Sequence, residues 1–133
     1  MQSIIVYGED GMLTGGGRKI FYQTSHERNS KYLEREGESK QFQVLCDVDN
    51  CDPSSFWTTE LLLMLLHDLE IVLEEARAGD DKEVINHIKE IFILCKLCIW
   101  SEGKMSLYFT PYGSIDDFPK DIPEKYRYNI AKL

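Results

Sequence analysis

No apolar run in this chain approaches the length of a membrane-spanning helix. The longest, Leu61 to Leu66, ends at His67-Asp68, whereas a span needs about twenty predominantly apolar residues. No membrane partner is expected. The start, Met1-Gln2-Ser3, lacks the basic stretch and apolar core of a signal peptide, so the expected home is the cytoplasm. Cysteine is sparse: Cys46, Cys51, Cys95 and Cys98 are the four in 133 residues. A cytosolic chain of this length needs no disulfide, and its thiols are expected to be reduced. Positive charge is also in short supply, 15 Lys and Arg against 23 Asp and Glu, a formal net charge of −8. Nucleic-acid binding leaves a basic footprint, so it is disfavoured.

What remains is ordinary for a globular chain: 43% hydrophobic and 29% charged residues, wrong for a disordered segment. The length predicts a single domain, 1–133, able to bury a core without staples. The acidity, however, is local. From Asp47 to Glu90 twelve acids stand against three bases, Arg77, Lys82 and Lys89. A one-signed field of this kind steers oppositely charged partners.

The motifs that could carry chemistry fail on inspection. Cys95-x-x-Cys98 with Cys46 and Cys51 has four potential zinc ligands, but Cys95 and Cys98 fall in an apolar helical stripe and not in turns, where buried cysteine acts as a small hydrophobe. Asp47-x-Asp49-x-x-Asp52 opens like a calcium loop, yet Asp52 stands where an EF-hand needs glycine and Thr58 where it needs glutamate. Gly15-Gly16-Gly17-Arg18-Lys19 lacks the Gly-Lys-Ser/Thr of a phosphate loop and leads into a β-like run. His67 and Asp68 are adjacent on one helix and diverge by about 100°. No cofactor and no metal are implied, and an enzyme is not expected.

Residues 3–7 and 18–23 read as strands joined by a Gly-rich stretch from Gly8 to Gly17, a hairpin with a long loop. Residues 24–40 are polar, with one helical turn near Lys31–Glu36. Gln41 to Asp47 reads as a third strand. A helix follows, beginning at Asp52-Pro53 or near Thr58 and running to Ala78, where Gly79 stops it. Asp80 or Asp81 caps a second helix ending near Trp100 or Gly103, so the two form an antiparallel hairpin. Residues 104–110 read as a fourth strand. The tail beyond Pro111 is expected to wrap the surface through Phe118, Ile122, Tyr126, Tyr128 and Ile130. Strands gathered before helices predict an α+β fold, a mainly antiparallel sheet of about four strands packed on the helix hairpin, with a parallel third–fourth pairing as a variant.

Advancing about 100° per residue along the first helix splits it in two. Leu61, Leu62, Leu65, Leu66, Leu69, Val72, Leu73 and Ala76 form a core half. The other half carries Glu60, His67, Asp68, Glu70, Glu74 and Glu75 together with Leu63, Met64 and Ile71, and Trp57 joins them if the helix begins early. Apolar anchors ringed by charge suit a protein-binding patch. Alternatively the helix is sandwiched, and Leu63, Met64 and Ile71 are core.

In this general build, a small acidic α+β protein with an acidic helical face, the chain resembles the immunity proteins of bacterial toxin–immunity systems. These include the partners of contact-dependent inhibition toxins and of colicin nucleases. The resemblance lies in character and not in any motif. It implies an inhibitor that occludes the active site of a cognate basic toxin domain, a nuclease. The residues expected at such an interface are Asp47, Asp49, Asp52, Trp57, Glu60, Asp68, Glu74 and Glu75. The alternative is a small-molecule sensor or small enzyme with a pocket near Tyr7, Tyr22, His26 and Tyr108. A homodimer meeting through Trp57, Leu63, Met64 and Ile71 is a further possibility.

Overall fold

The computed structural model describes residues 1–9 and 18–112. The expected loop over 10–17 and the expected tail anchors from Phe118 to Ile130 lie outside the described residues. The elements in order are β1 (Ser3–Glu9), β2 (Arg18–Ser25), α1 (Ser30–Leu33), a 3-10 turn (Leu45–Asp47), β3 (Ser54–Phe56), α2 (Thr59–Ala78), α3 (Lys82–Trp100) and β4 (Met105–Thr110). The strands form one antiparallel sheet in the order β2-β1-β4-β3. The α2–α3 hairpin packs on one face of it, so the α+β expectation holds.

The central strands explain their own composition. Ile4 and Val6 of β1 and Leu107 and Phe109 of β4 belong to the core cluster shared with the helices. Side chains alternate along a strand, so Ile5, Tyr7 and Tyr108 stand on the opposite face, and they too are buried. A strand buried on both faces reads as a continuous apolar run and not as an alternating one. The Tyr7 and Tyr108 rings meet edge to face at 5.5 Å.

Both edges are blunted. On β2 the register slips between Val6↔Tyr22 and Tyr7↔Ile20, leaving Phe21 as a bulge, a device that disrupts an edge as a pairing template. At the other edge β3 is only three residues long, anchored by Phe56 against Phe109 with centroids 5.2 Å apart.

Two expectations are corrected. The third strand is not at Gln41 to Asp47. That segment alternates exposed Gln41 and Gln43 with buried Phe42 and Val44, which imitates strand periodicity. Its backbone instead turns, because the amides of Gln43, Val44 and Leu45 all converge on one carboxylate, that of Asp68. The strand actually used, β3, occupies the residues given as a possible helix start after Asp52-Pro53, and it pairs with β4 antiparallel, not parallel. The later helix start is the correct one: Thr58 Oγ1 accepts from Leu61 N at 3.1 Å.

Five buried side chains of α2 (Leu62, Leu65, Leu69, Val72, Ala76) meet Val84, Ile88, Ile91, Leu94, Cys95 and Cys98 of α3 in the common core. The connection is short. Asp81 caps α3 by accepting from Val84 N. Gly79, the expected stop, keeps right-handed geometry at φ −80°. The left-handed step falls on Asp80, at φ 52°, where a side chain carries a steric cost that glycine avoids. Asp80→Gly is therefore expected to raise unfolding stability in urea by about 0.5 kcal/mol, after allowing for the freer unfolded chain.

Candidate protein-binding surface

The acids of the 47–90 segment divide into those the fold consumes and those it leaves outward. Asp68 is consumed entirely. It is 0% exposed, and its carboxylate accepts from Gln43 N at 2.9 and 3.0 Å, Val44 N at 2.7 Å and Leu45 N at 2.9 Å. The expectation that Asp68 faces a partner is thus corrected: the carboxylate supplies the acceptor that the first turn of residues 45–47 lacks. Glu75 is half-buried and held by Arg35, whose guanidinium also binds Glu38 and lies 4.6 Å over the Phe42 ring. Glu74 is exposed but pairs with Arg77 at 2.8 Å. Asp81 and Glu83 both engage Arg28, and these bonds hold their carboxyls below the usual range, Glu83 first through His26.

Asp47, Asp52, Glu60, Glu70 and Asp80 are left. All five are exposed, and none pairs with a base among the described residues. Asp49 organises the loop that carries the first two: its Oδ1 accepts from Cys51 N at 2.7 Å and Asp52 N at 2.8 Å, an Asx-type turn. Gln2 donates to the Asp49 carbonyl and Tyr112 to the Cys51 carbonyl, so the acidic loop is tied to the sheet at both ends. Directly after it come β3, the last strand of the sheet, and Trp57, 58% exposed. Glu60 opens α2, where the helix dipole favours a carboxylate, and Leu63 stands one turn further on. A tethered acidic loop, a short edge strand and an exposed tryptophan thus adjoin within residues 47–63.

The wheel ambiguity is resolved in part each way. Leu63 is exposed, while Met64 and Ile71 are half-buried against the core. The residues considered for a small-molecule pocket are not brought together: Tyr7 and Tyr108 stack on the sheet face away from the helices, whereas Tyr22 and His26 reach α3 at Glu90 and Glu83. The cysteines are likewise separated. Cys95 donates to the Leu62 carbonyl, and burial pushes the Cys95 and Cys98 thiols up to about 12. No group of three or more potential metal ligands forms among the described residues.

The sequence reading missed a polar knot where β2 leads into α1. Asn29 is buried, with Oδ1 accepting from Gln2 N at 2.8 Å and Nδ2 donating to Gln2 O at 2.7 Å. That orientation fixes Nδ2 as the donor to His87 Nε2 at 3.1 Å, so His87 must present a lone pair there and carries its proton on Nδ1. The His26 ring lies 5.8 Å from that of His87. No sequence signal joins His26, Asn29 and His87, which come from two distant segments.

Comparison with known proteins finds no matching family model, no matching curated protein and no matching solved structure. None of the helices in the described residues is long and apolar enough to cross a membrane.

Two measurements check these assignments. Asp68→Asn keeps the shape but aims an amide at three N–H donors, and is expected to lower urea stability by about 3 kcal/mol. His87 gives a pH signature. Burial, aided by His26 and opposed by Glu90, lowers its pKa in the fold, so the folded state binds fewer protons than the unfolded chain. Stability from this group is full above the unfolded value of about 6.5 and is lost as pH falls through it towards the folded one. Urea midpoints measured from pH 7 to pH 5 should decline, and His87→Gln should flatten that limb.

Proposed function

We propose that this chain is an immunity-type inhibitor that binds a cognate basic toxin domain, a nuclease, and covers its cationic active site. The observation that carries this reading is the surface at residues 47–63. Asp47, Asp52 and Glu60 present carboxylates that no base pairs with among the described residues, on either side of the exposed Trp57 in the chain. Such a surface has the composition of a binding hot spot: an aromatic anchor for desolvation, with one-signed charge for steering and orientation. The tether of the loop to Gln2 and Tyr112 supports it further, because a preformed loop loses little entropy on binding. Asp49 serves by shaping that loop. Glu74, paired with Arg77 near the far end of α2, lies outside this surface, and Asp68 and Glu75 act only by holding the fold. Occlusion is the mechanism: a cation-lined cleft that receives substrate phosphates receives this acidic loop instead.

The test is association with the partner protein captured from the native cell, measured across salt concentrations. Asp47→Lys with Asp52→Lys should slow association by about tenfold at low salt, leave dissociation little changed, and leave the melting temperature near the parent's. Trp57→Ala should act mainly on dissociation. Unchanged association of the double variant at low salt would refute the reading.

A further inference from the structure

The outer face of the α2–α3 hairpin shares Glu60 and Leu63 with the surface at residues 47–63, and along its whole length it carries two complementary stripes. Along α2 a stripe of exposed residues runs through Glu60, Leu63, His67, Glu70, Glu74 and Arg77, spaced alternately by three and four. Along α3 a stripe of exposed residues runs through Lys82, Asn86, Lys89, Ile93, Lys96 and Trp100, at the same spacing, with exposed Glu83 off to its side, held by Arg28. This is the period at which helix seams meet one another. One stripe holds three glutamates and the other three lysines, in a chain whose overall charge is strongly negative. Each also holds apolar side chains that folding has left out: Leu63 at 53%, Ile93 at 66% and Trp100 at 79% exposure. Between the stripes lie Leu66, Leu73, Phe92 and Ile99, half-buried where the two helices adjoin. Lys96 sits 4.9 Å over the Phe92 ring.

The geometry points to a second copy of this chain as the occupant of that face, in a two-fold dimer that stacks α2 of each protomer on α3 of its partner. The level of each residue along the hairpin is fixed by the contact of Cys95 Sγ with the Leu62 carbonyl, which sets position 62 beside position 95. A two-fold axis running along the helices preserves that level while exchanging α2 for α3. Glu60 then comes opposite the Lys96 turn, Leu63 opposite Ile93 and Lys96, Glu70 opposite Lys89, and Glu74 opposite Lys82. Every glutamate of the stripe meets a lysine, and the apolar residues cluster at the end that holds Trp100. An axis across the helices would instead stack α2 on α2 and α3 on α3, setting glutamates near glutamates and lysines near lysines. Charge therefore selects the first arrangement, an antiparallel four-helix layer with an apolar seam and charged flanks.

The test is molar mass by light scattering at chain concentrations up to about 100 μM, the range in which a modest interface is populated. The parent should run at twice the 15.5 kDa chain mass. Glu70→Lys with Glu74→Lys, and separately Lys82→Glu with Lys89→Glu, should each weaken self-association by about tenfold or more. All four substituted positions are exposed, and circular dichroism checks that each variant is folded. Mixing the two double variants should restore the dimer, and so should combining all four substitutions in one chain. A parent of single-chain mass throughout overturns the proposal, as do double variants that dimerise like the parent. Failure of both restorations with folded proteins overturns the α2-on-α3 arrangement. Neither result depends on a toxin partner, because Asp47, Asp52, Trp57 and Glu60 are untouched.

Discussion

The Asp68 carboxylate is the constraint on which the rest of the molecule turns. It lies fully buried on α2 and collects the amides of Gln43, Val44 and Leu45. A buried carboxylate without such donors would be strongly unfavourable, and three buried amides without an acceptor nearly as much. Each side therefore requires the other. The pairing clamps the segment after α1 onto the flank of α2, which seats Phe42, Val44 and Leu45 in the core. It also fixes where the chain must emerge at Asp47 to reach β3. Arg35, between Glu38 and Glu75, reinforces the same flank from the surface. The acidic loop and Trp57 are displayed as they are because this clamp sets the path that leads to them.

That division of labour reshapes the electrostatic picture. A count of acids over 47–90 overstates the outward field, because the fold spends several of them on internal work. Asp68 organises backbone, Glu75 holds Arg35, and Asp81 caps α3 while binding Arg28. The field that survives is smaller and better placed. Asp47, Asp52 and Glu60 set part of it on one tethered loop and one helix start, next to the apolar side chains Trp57 and Leu63, and Glu70 and Asp80 carry the rest along the hairpin. Low counter-charge at one spot matters more for partner selection than net charge spread over the whole surface.

Periodicity made much of this fold legible, and it failed where one carboxylate overrode it. The two helices, their caps at Thr58 and Asp81, and the central strands follow from apolar spacing and turn chemistry, which are local. The segment Gln41 to Asp47 carries a true two-residue alternation, and it still is not a strand. Its amides are claimed by Asp68, some twenty-five residues away, and no local pattern reports that. β3 was hidden for the opposite reason: Ser54-Ser55-Phe56 is too short to show a period, and Asp52-Pro53 just before it mimics a helix start. At the surface, the outward position of Glu60 was readable from the wheel, that of Leu63 was left open by it, and Trp57 lies before the helix, where the wheel does not apply. The burial of Asp68 was not, because a helical wheel shows which way a residue points and not what another segment lays over it. The same limit hid the Asn29–His87 bond, which joins elements fifty-eight positions apart.

The helix hairpin and the acidic loop bear on each other through geometry. Both the loop and the N-terminal end of α2 lie at the Trp100 end of the hairpin, because α2 starts where α3 finishes. A two-fold axis along the helices keeps that end common to both protomers, so the proposed dimer would carry its two acidic loops on the same side. Two weak sites displayed on one side of a rigid body act together on a partner that spans them, raising avidity without any new contact. Two sites at opposite ends could not. In the proposed dimer the stripe charges would do more than hold two copies together: by choosing the axis that runs along α2 and α3, they would decide whether the loops act singly or as a pair.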